Sequence, residues 1–272
     1  MPECVEVEIQ KEGLEALVGD TIKDVIFYDK GEKIVRPIPI DDFTYRVMGK
    51  KIEKVERYGK YIAFDLGDQF LTSHLAMTGR WLLDVPEEEV GHTRIMFEMK
   101  SGRELRYSDV RVFGRIRLEN MLTNKIYHKG LDVLTADKDE IKGTLELLRS
   151  QKRYNETNVK KLLLNQNIFS GLGNVYANEV LYNVKLSPSR EAKSLTDLEI
   201  ESLASAIKSI LKMGYEKGGL SFSDYYHVDG TKGTMQEYLN VYKKSNCIEG
   251  HDILRSEEFD DRTSFYCPIC QR

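Results

Sequence analysis

The spacing of apolar side chains changes period part-way along this chain, and that change limits the folds open to it. From about residue 22 to 120 the pattern is mostly strand. Ile95, Phe97 and Met99 alternate with Arg94, Met96 and Glu98, and Ile116 and Leu118 alternate with Arg115, Arg117 and Glu119. Half-buried strands of this kind predict a sandwich or barrel. Ahead of them, residues 4–18 predict a helix, with Val5, Ile9, Leu14 and Leu17 in phase and Gly19 as its stop. Pro86 to Glu89 is expected to be an exposed loop. After about residue 135 the period becomes helical. Ser194 and Asp197 are expected to cap a helix carrying Leu198, Leu203, Ile207, Ile210 and Leu211, which Gly218 and Gly219 end. Three of the four cysteines fall after residue 245. The expected architecture is α+β in three parts: a β-rich domain over 1–135, a helical domain over 136–244 and a small Cys-rich tail over 245–272.

Composition narrows the function. Hydrophobic residues make up 41% and charged residues 31%, which excludes wholesale disorder. No segment approaches the roughly 18 apolar residues of a membrane helix, so no membrane partner is expected. The acidic start lacks a signal peptide's basic and apolar regions, which predicts a cytoplasmic protein. Four cysteines there point to thiols or metal ligands, not to disulfides. The net charge of -4 means that any anionic partner must meet a local basic patch. One candidate lies between residues 142 and 190, where eight Lys and Arg stand against three acids.

The chain start carries its own chemistry. Removal of Met1 before Pro2 would expose a secondary amine with a pKa of about 7.7–8.0, nucleophilic near neutrality and able to form an iminium at a sugar C1′. Glu3 beside it could shuttle protons. Further on, 158–166 and 174–183 predict two short helices joined by a linker with Gly171 and Gly173. Asn174 is placed to cap the second helix, whose N-terminus is an anion site.

Several short motifs then occur in a telling order. Met1-Pro2-Glu3 and Glu6-Val7-Glu8 come first, then Arg57-Tyr58-Gly59-Lys60-Tyr61, His74-Leu75-Ala76-Met77-Thr78-Gly79 and His92-Thr93-Arg94. Asp109-Val110-Arg111-Val112-Phe113-Gly114, the run from Gly171 to Leu181, and Arg262 through Tyr266-Cys267-Pro268-Ile269-Cys270 follow. Together they resemble the formamidopyrimidine-DNA glycosylase / endonuclease VIII family over essentially the whole chain. The resemblance implies an N-terminal β-sandwich with an N-terminal helix, a helix–two-turn–helix domain and a C-terminal zinc-finger β-hairpin. It implies a monomeric base-excision repair enzyme that flips an oxidised base from damaged double-stranded DNA, releases it and cuts the strand by β,δ-elimination. By similarity Pro2 is the Schiff-base nucleophile, Glu3 the general acid/base, Glu6 its support and Lys60 a phosphate-holding catalytic residue. Met77, Arg111 and Phe113 would fill the void left by the flipped base. His92, Asn174 and Arg262 would also contact DNA.

The chain departs from the family pattern in the tail. One Cys-x2-Cys pair, Cys267 and Cys270, is intact, but Gly250 stands three residues after Cys247 and His251 follows it. Cys247, His251, Cys267 and Cys270 make an acceptable tetrahedral set for one structural zinc ion. The competing reading is a partly lost site held by packing. The tail also carries six acids against three arginines. Val112 stands where many members have a second arginine, and Cys4 is either a core thiol or a redox liability. The segment from Gly218 to Thr234 resembles the lesion-capping loop of the formamidopyrimidine/8-oxoguanine branch, which implies oxidised purines (8-oxoguanine, formamidopyrimidines). Gly130 to Leu134 resembles the endonuclease VIII branch, with oxidised pyrimidines as the alternative. A catalytically silent damage-binding protein of the same fold is the other alternative.

Overall fold

The computed structural model describes residues 2–120, 130–222 and 225–272, without the Val90 side chain. Met1, and Ser223 and Asp224 of the 218–234 loop, lie outside the described residues. The chain packs as two compact units, one from 1–127 with 217–236, the other from 128–216 with 237–272. Residues 217–236 thus belong with the N-terminal unit although they follow the helical stretch in sequence.

In the first unit helix α1 spans Cys4–Leu14, begun by a capping box between Glu3 and Glu6. It tightens into one 3₁₀ turn over Glu15–Leu17 and ends before Gly19, at φ +91°. Eight strands follow: β1 (Ile22–Phe27), β2 (Lys54–Tyr58), β3 (Tyr61–Asp65), β4 (Phe70–His74), β5 (Gly79–Leu83), β6 (Thr93–Met99), β7 (Glu104–Asp109) and β8 (Arg115–Glu119). They form two antiparallel sheets, ordered β1-β6-β7-β5 and β2-β3-β4-β8. Helices α2 (Gly31–Val35) and α3 (Ile40–Val47) lie between β1 and β2 in sequence. One apolar core draws on both sheets. Trp81 of β5 meets Phe64 of β3 edge-on at 5.4 Å, and Tyr107 of β7 at 4.9 Å. This is the expected sandwich.

Two local expectations are corrected. β8 alternates as its sequence predicts, but in β6 Arg94 and Met96 are buried together with Ile95 and Phe97. Arg94 tolerates burial because its Nε donates to the Asp109 carbonyl (2.8 Å) and its Nη1 to the Asp29 carbonyl (2.9 Å). The acidic run after Pro86 is not a loop but a helical turn, α4 (Glu87–Val90), with the Thr93 hydroxyl donating to the Glu87 carboxylate.

The second unit contains α5 (Lys138–Ser150), α6 (Val159–Leu164), α7 (Asn174–Asn183) and α8 (Asp197–Glu216). Between α6 and α7 the chain pairs briefly in parallel, β10 (Phe169–Ser170) against β9 (Leu131–Asp132). The cap of α8 is not Ser194 with Asp197. Thr196 Oγ1 accepts the Glu199 N–H (3.2 Å) and the Glu199 carboxylate accepts the Thr196 N–H (2.8 Å). The cap thus lies two residues later than expected, and Leu198 faces outward, 80% exposed, while Leu203, Ile207, Ile210 and Leu211 are buried. A hairpin of β11 (Leu254–Ser256) and β12 (Ser264–Tyr266) completes the unit. Among the described residues no helix is long and apolar enough to cross a membrane.

Candidate active site and nucleic-acid interface

The chain start is buried: Pro2 lies inside, Glu3 is 0% exposed and Glu6 1%. Two carboxylates at such depth need donors, and the fold supplies them. Glu6 Oε2 accepts the Glu3 N–H at 2.8 Å and Glu6 Oε1 accepts the Leu220 N–H at 2.9 Å. The Tyr225 hydroxyl donates to the Glu6 carbonyl at 2.8 Å. Burial, with the Glu6 charge beside it, pushes the Tyr225 phenol well above its ordinary range, so it remains a donor. The N-terminal turn of α1 adds favourable amide dipoles to Glu6. Gln10, one helical turn on, fixes the helix: its Oε1 accepts the Trp81 N–H (2.8 Å) and its Nε2 donates to the Tyr226 carbonyl (2.7 Å). Composition and motif gave no role to Gln10 or Tyr225. The available signal was a polar pair, Glu6 and Gln10, four residues apart on a helix face that is otherwise buried and apolar.

Lys60 sits on the turn between β2 and β3. Arg57, with its side chain only 2% exposed, is ion-paired to Glu8 and donates from Nη1 to the Gly59 carbonyl at 2.9 Å. It therefore ties the lysine's turn to α1. His74 on β4 is held neutral: burial, then the charges of Lys60 and Arg115, pull its pKa down to about 4.

The structure brings Met77, Arg111 and Phe113 together. Arg111 Nη1 lies 3.0 Å from the Met77 sulfur, and its guanidinium lies 4.5 Å over the Phe113 ring. Met77 and Phe113 are 43% and 48% exposed, so neither is a core residue. Their organiser is Asp109, fully buried at the end of β7. Its Oδ1 accepts the Thr78 hydroxyl and the Arg111 N–H (3.2 Å), and its Oδ2 accepts the Gly114 N–H (2.8 Å). Val112, between the two presented residues, has φ +58°. His92 is exposed with φ +59°, and its carbonyl accepts the Asp109 N–H (3.1 Å).

In the second unit Asn174 is not a cap. Gly173 occupies the cap position and Asn174 opens α7. Its Nδ2 donates to the Thr263 carbonyl (3.0 Å), next to Arg262. Asn174 Oδ1 and Arg262 Nη1 are both buried without a hydrogen-bond partner among the described residues. An unmet guanidinium N–H is a costly feature that an anion would satisfy. Glu179, buried in mid-helix, accepts N–H groups from Asn240 (2.7 Å), Val241 (3.0 Å) and Tyr242 (2.9 Å). The basic patch is weaker than its residue count. Lys142 pairs with Glu201, Arg149 with Asp197 and Arg190 with Glu199, and Lys160 is buried against Asn178 (2.6 Å).

The finger brings its four candidate ligands together. Cys247, His251, Cys267 and Cys270 place one ligand atom each within 4.8 Å of all the others. Sγ of Cys247 is 3.9 Å from Sγ of Cys270 and 3.7 Å from Nδ1 of His251, which is 3.3 Å from Cys270 Sγ. Zinc bonds of roughly 2.0–2.3 Å at tetrahedral angles require donor separations of about 3.5–3.8 Å. The cluster therefore fits a metal ion.

The formamidopyrimidine-DNA glycosylase N-terminal domain matches residues 1–116, and that glycosylase's H2TH domain matches residues 134–225. The chain belongs to the formamidopyrimidine-DNA glycosylase family. It is 36% identical to the formamidopyrimidine-DNA glycosylase of Carboxydothermus hydrogenoformans, with each chain fully covered. It is 34% identical to that of Enterococcus faecalis, over all of this chain and 98% of the relative. A Lactococcus lactis family member solved with DNA containing Fapy-dG superposes with a TM-score of 0.84 at 32% identity, over 100% of both chains. A further Lactococcus lactis complex, with THF-containing DNA, has the same TM-score, identity and full coverage. It is of a variant named for replacing a cysteine by Gly-His, the dipeptide found here at Gly250 and His251.

Proposed function

We propose that this member of the family is a bifunctional DNA glycosylase/AP lyase that removes oxidised purines from damaged double-stranded DNA. The observation that carries the reading is the buried Glu6 carboxylate, which joins the backbone of Glu3, the residue after Pro2, to that of Leu220. A free Pro2 nitrogen attacks C1′ of the flipped nucleoside as the damaged base leaves with a proton. The pair of electrons forming the N–C1′ bond comes from Pro2, and ring opening then gives the iminium. Glu3 delivers and removes protons in these steps. Loss of a C2′ proton and of the 3′-phosphate follows as β-elimination, and a second elimination releases the 5′-phosphate. Lys60 holds a phosphate near the lesion.

Met77, Arg111 and Phe113 fill the vacated stack, their exposed apolar surface suiting a wedge. His92, Asn174 and Arg262 meet the backbone, the unmet Arg262 N–H supporting this role. One zinc ion on Cys247, His251, Cys267 and Cys270 would stabilise the hairpin without taking part in the chemistry. The three stretches 1–135, 136–244 and 245–272 then divide the work into catalysis, duplex binding and finger, except that residues 217–236 pack with the first unit and serve catalysis.

Borohydride trapping on an abasic duplex tests the nucleophile. A covalent adduct is expected, and it should disappear with Pro2→Thr. An untrapped but DNA-bound wild type with a free N-terminus overturns the reading. Release of 8-oxoguanine should exceed release of thymine glycol, and the reverse order would assign the pyrimidine branch. Metal analysis should find one zinc ion per chain, reduced in His251→Ala. Unchanged zinc in that variant would remove His251 from the ligand set.

A further inference from the structure

The carboxylate of Glu6 is seated on a turn that itself needs holding. Gly218 and Gly219 both have positive φ (+71° and +75°). At Gly219 a Cβ would come within 3.0 Å of Glu6 Oε1, so the peptide lies flat against the carboxylate. The next N–H, of Leu220, makes the hydrogen bond to Glu6. A diglycine turn is loose by nature, since glycine has the widest conformational choice of any residue. Three contacts fix this one. The Thr234 N–H donates to the Lys217 carbonyl (2.8 Å) and the Met235 N–H to the Gly219 carbonyl (3.1 Å). The remaining carbonyl, of Gly218, lies 2.6 Å from His227 Nε2. A carbonyl only accepts, so Nε2 carries the proton. The ring also packs on the turn: a Cβ on Gly218 would meet His227 Cε1 at 3.0 Å.

The other side of the imidazole is equally held. His227 Nδ1 is 3.0 Å from Thr231 Oγ1, which is 2.6 Å from Asp229 Oδ1, and the His227 N–H donates to the Thr231 carbonyl (2.8 Å). The Thr231 hydroxyl and amide, with His227 nearby, keep the Asp229 carboxyl below its ordinary range. Thr231 donates onward to Asp229, while Nε2–H faces Gly218.

We infer that His227 is a positioning residue for the proposed Pro2 and Glu3 chemistry: its Nε2–H fixes the Gly218 carbonyl and thereby the Leu220 amide that seats Glu6. The inference rests on the assignment of Pro2 as nucleophile. It adds to that assignment His227, a residue to which the resemblance attaches no role. Misplacement of a supporting group by about 1 Å can cost up to about 100-fold in rate.

The test compares wild type, His227→Ala and His227→Gln in single-turnover borohydride trapping on an abasic duplex, with duplex affinity measured in parallel. Glutamine keeps an N–H donor at the end of a side chain of similar reach. His227→Ala is expected to trap about tenfold more slowly at saturating protein, with affinity within about twofold and faster hydrogen exchange at the Leu220 amide. His227→Gln is expected to recover most of the rate. A wild type that traps alongside a His227→Ala variant that traps equally fast overturns the inference alone, as does equal loss in both variants. A wild type that leaves no adduct overturns the Pro2 assignment and the inference with it.

Discussion

Val112 holds a backbone conformation that β-branched residues rarely adopt, at φ +58° between Arg111 and Phe113. The strain of such a residue is about 1–3 kcal/mol. Asp109 imposes it by gathering the Arg111 and Gly114 N–H groups on one carboxylate. Val112→Gly relieves that strain but forfeits the packing of the half-buried valine on the core and adds entropy to the unfolded chain, so it should leave stability within about 1 kcal/mol of wild type. A loss of more than about 3 kcal/mol in chemical denaturation would contradict this account. His74 makes a second residue-scale case. Its folded pKa of about 4 lies below the ordinary 6.5, because burial and the charges of Lys60 and Arg115 disfavour the imidazolium. As pH falls, the unfolded chain takes up this proton first. Stability is thus unaffected above about pH 6.5 and declines by roughly 3 kcal/mol from there towards pH 4. His74→Gln should flatten that decline in a series of unfolding curves, and an identical pH profile in the variant would refute it. Residues of both kinds were legible only in part. Met77, Arg111 and Phe113 could be named from sequence, but Asp109, which aims them, stood in the same motif without a role, because a single acid at a strand end has many possible partners.

At the scale of elements, period was a better guide than punctuation. Helix α1, the strand β8 and the buried side of α8 lie where apolar spacing places them. The caps did not follow as readily. Ser194 and Asp197 satisfied a pattern that Thr196 and Glu199 fulfil in the structure, and Asn174 has a capping residue's chemistry but sits one position inside α7. Capping depends on the backbone angle of one residue, which composition does not specify. Glu179 was hidden for a related reason: its donors, the amides of 240–242, lie about 60 residues away. Those bonds join α7 to the segment leading into the finger. Glu179→Gln keeps the shape but turns an NH₂ group towards backbone donors. It should destabilise the second unit by about 2–4 kcal/mol, read as an earlier thermal transition. A change under about 0.5 kcal/mol would show that the carboxylate is not what holds that segment.

For the whole molecule the central tension is a net charge of -4 in a protein proposed to grip a polyanion. Between residues 142 and 190 the sequence shows a cluster of eight basic residues, but the acids that neutralise three of them, Asp197, Glu199 and Glu201, lie just past that stretch on the first turns of α8. A window along the chain misses partners that folding brings alongside. Lys160 is also withdrawn, buried on Asn178. Of the eight, Lys152, Arg153, Lys161 and Lys185 carry no ion pair among the described residues, and with Arg262 they are what this state offers to phosphate. The finger's excess of acid weakens the surrounding field further. Each phosphate contact contributes about -0.9 to the log–log dependence of affinity on salt. Binding to an abasic duplex should then show a slope of about -4, with Arg262→Ala shallower by about 1 and Val112→Arg steeper by about 1. Steepening in Val112→Arg without a change in lesion preference would mark the added charge as a backbone contact. A wild-type slope near -7, about one contact for every basic residue of the 142–190 stretch, would mean that those ion pairs open on DNA and that the paired state is not the one that binds.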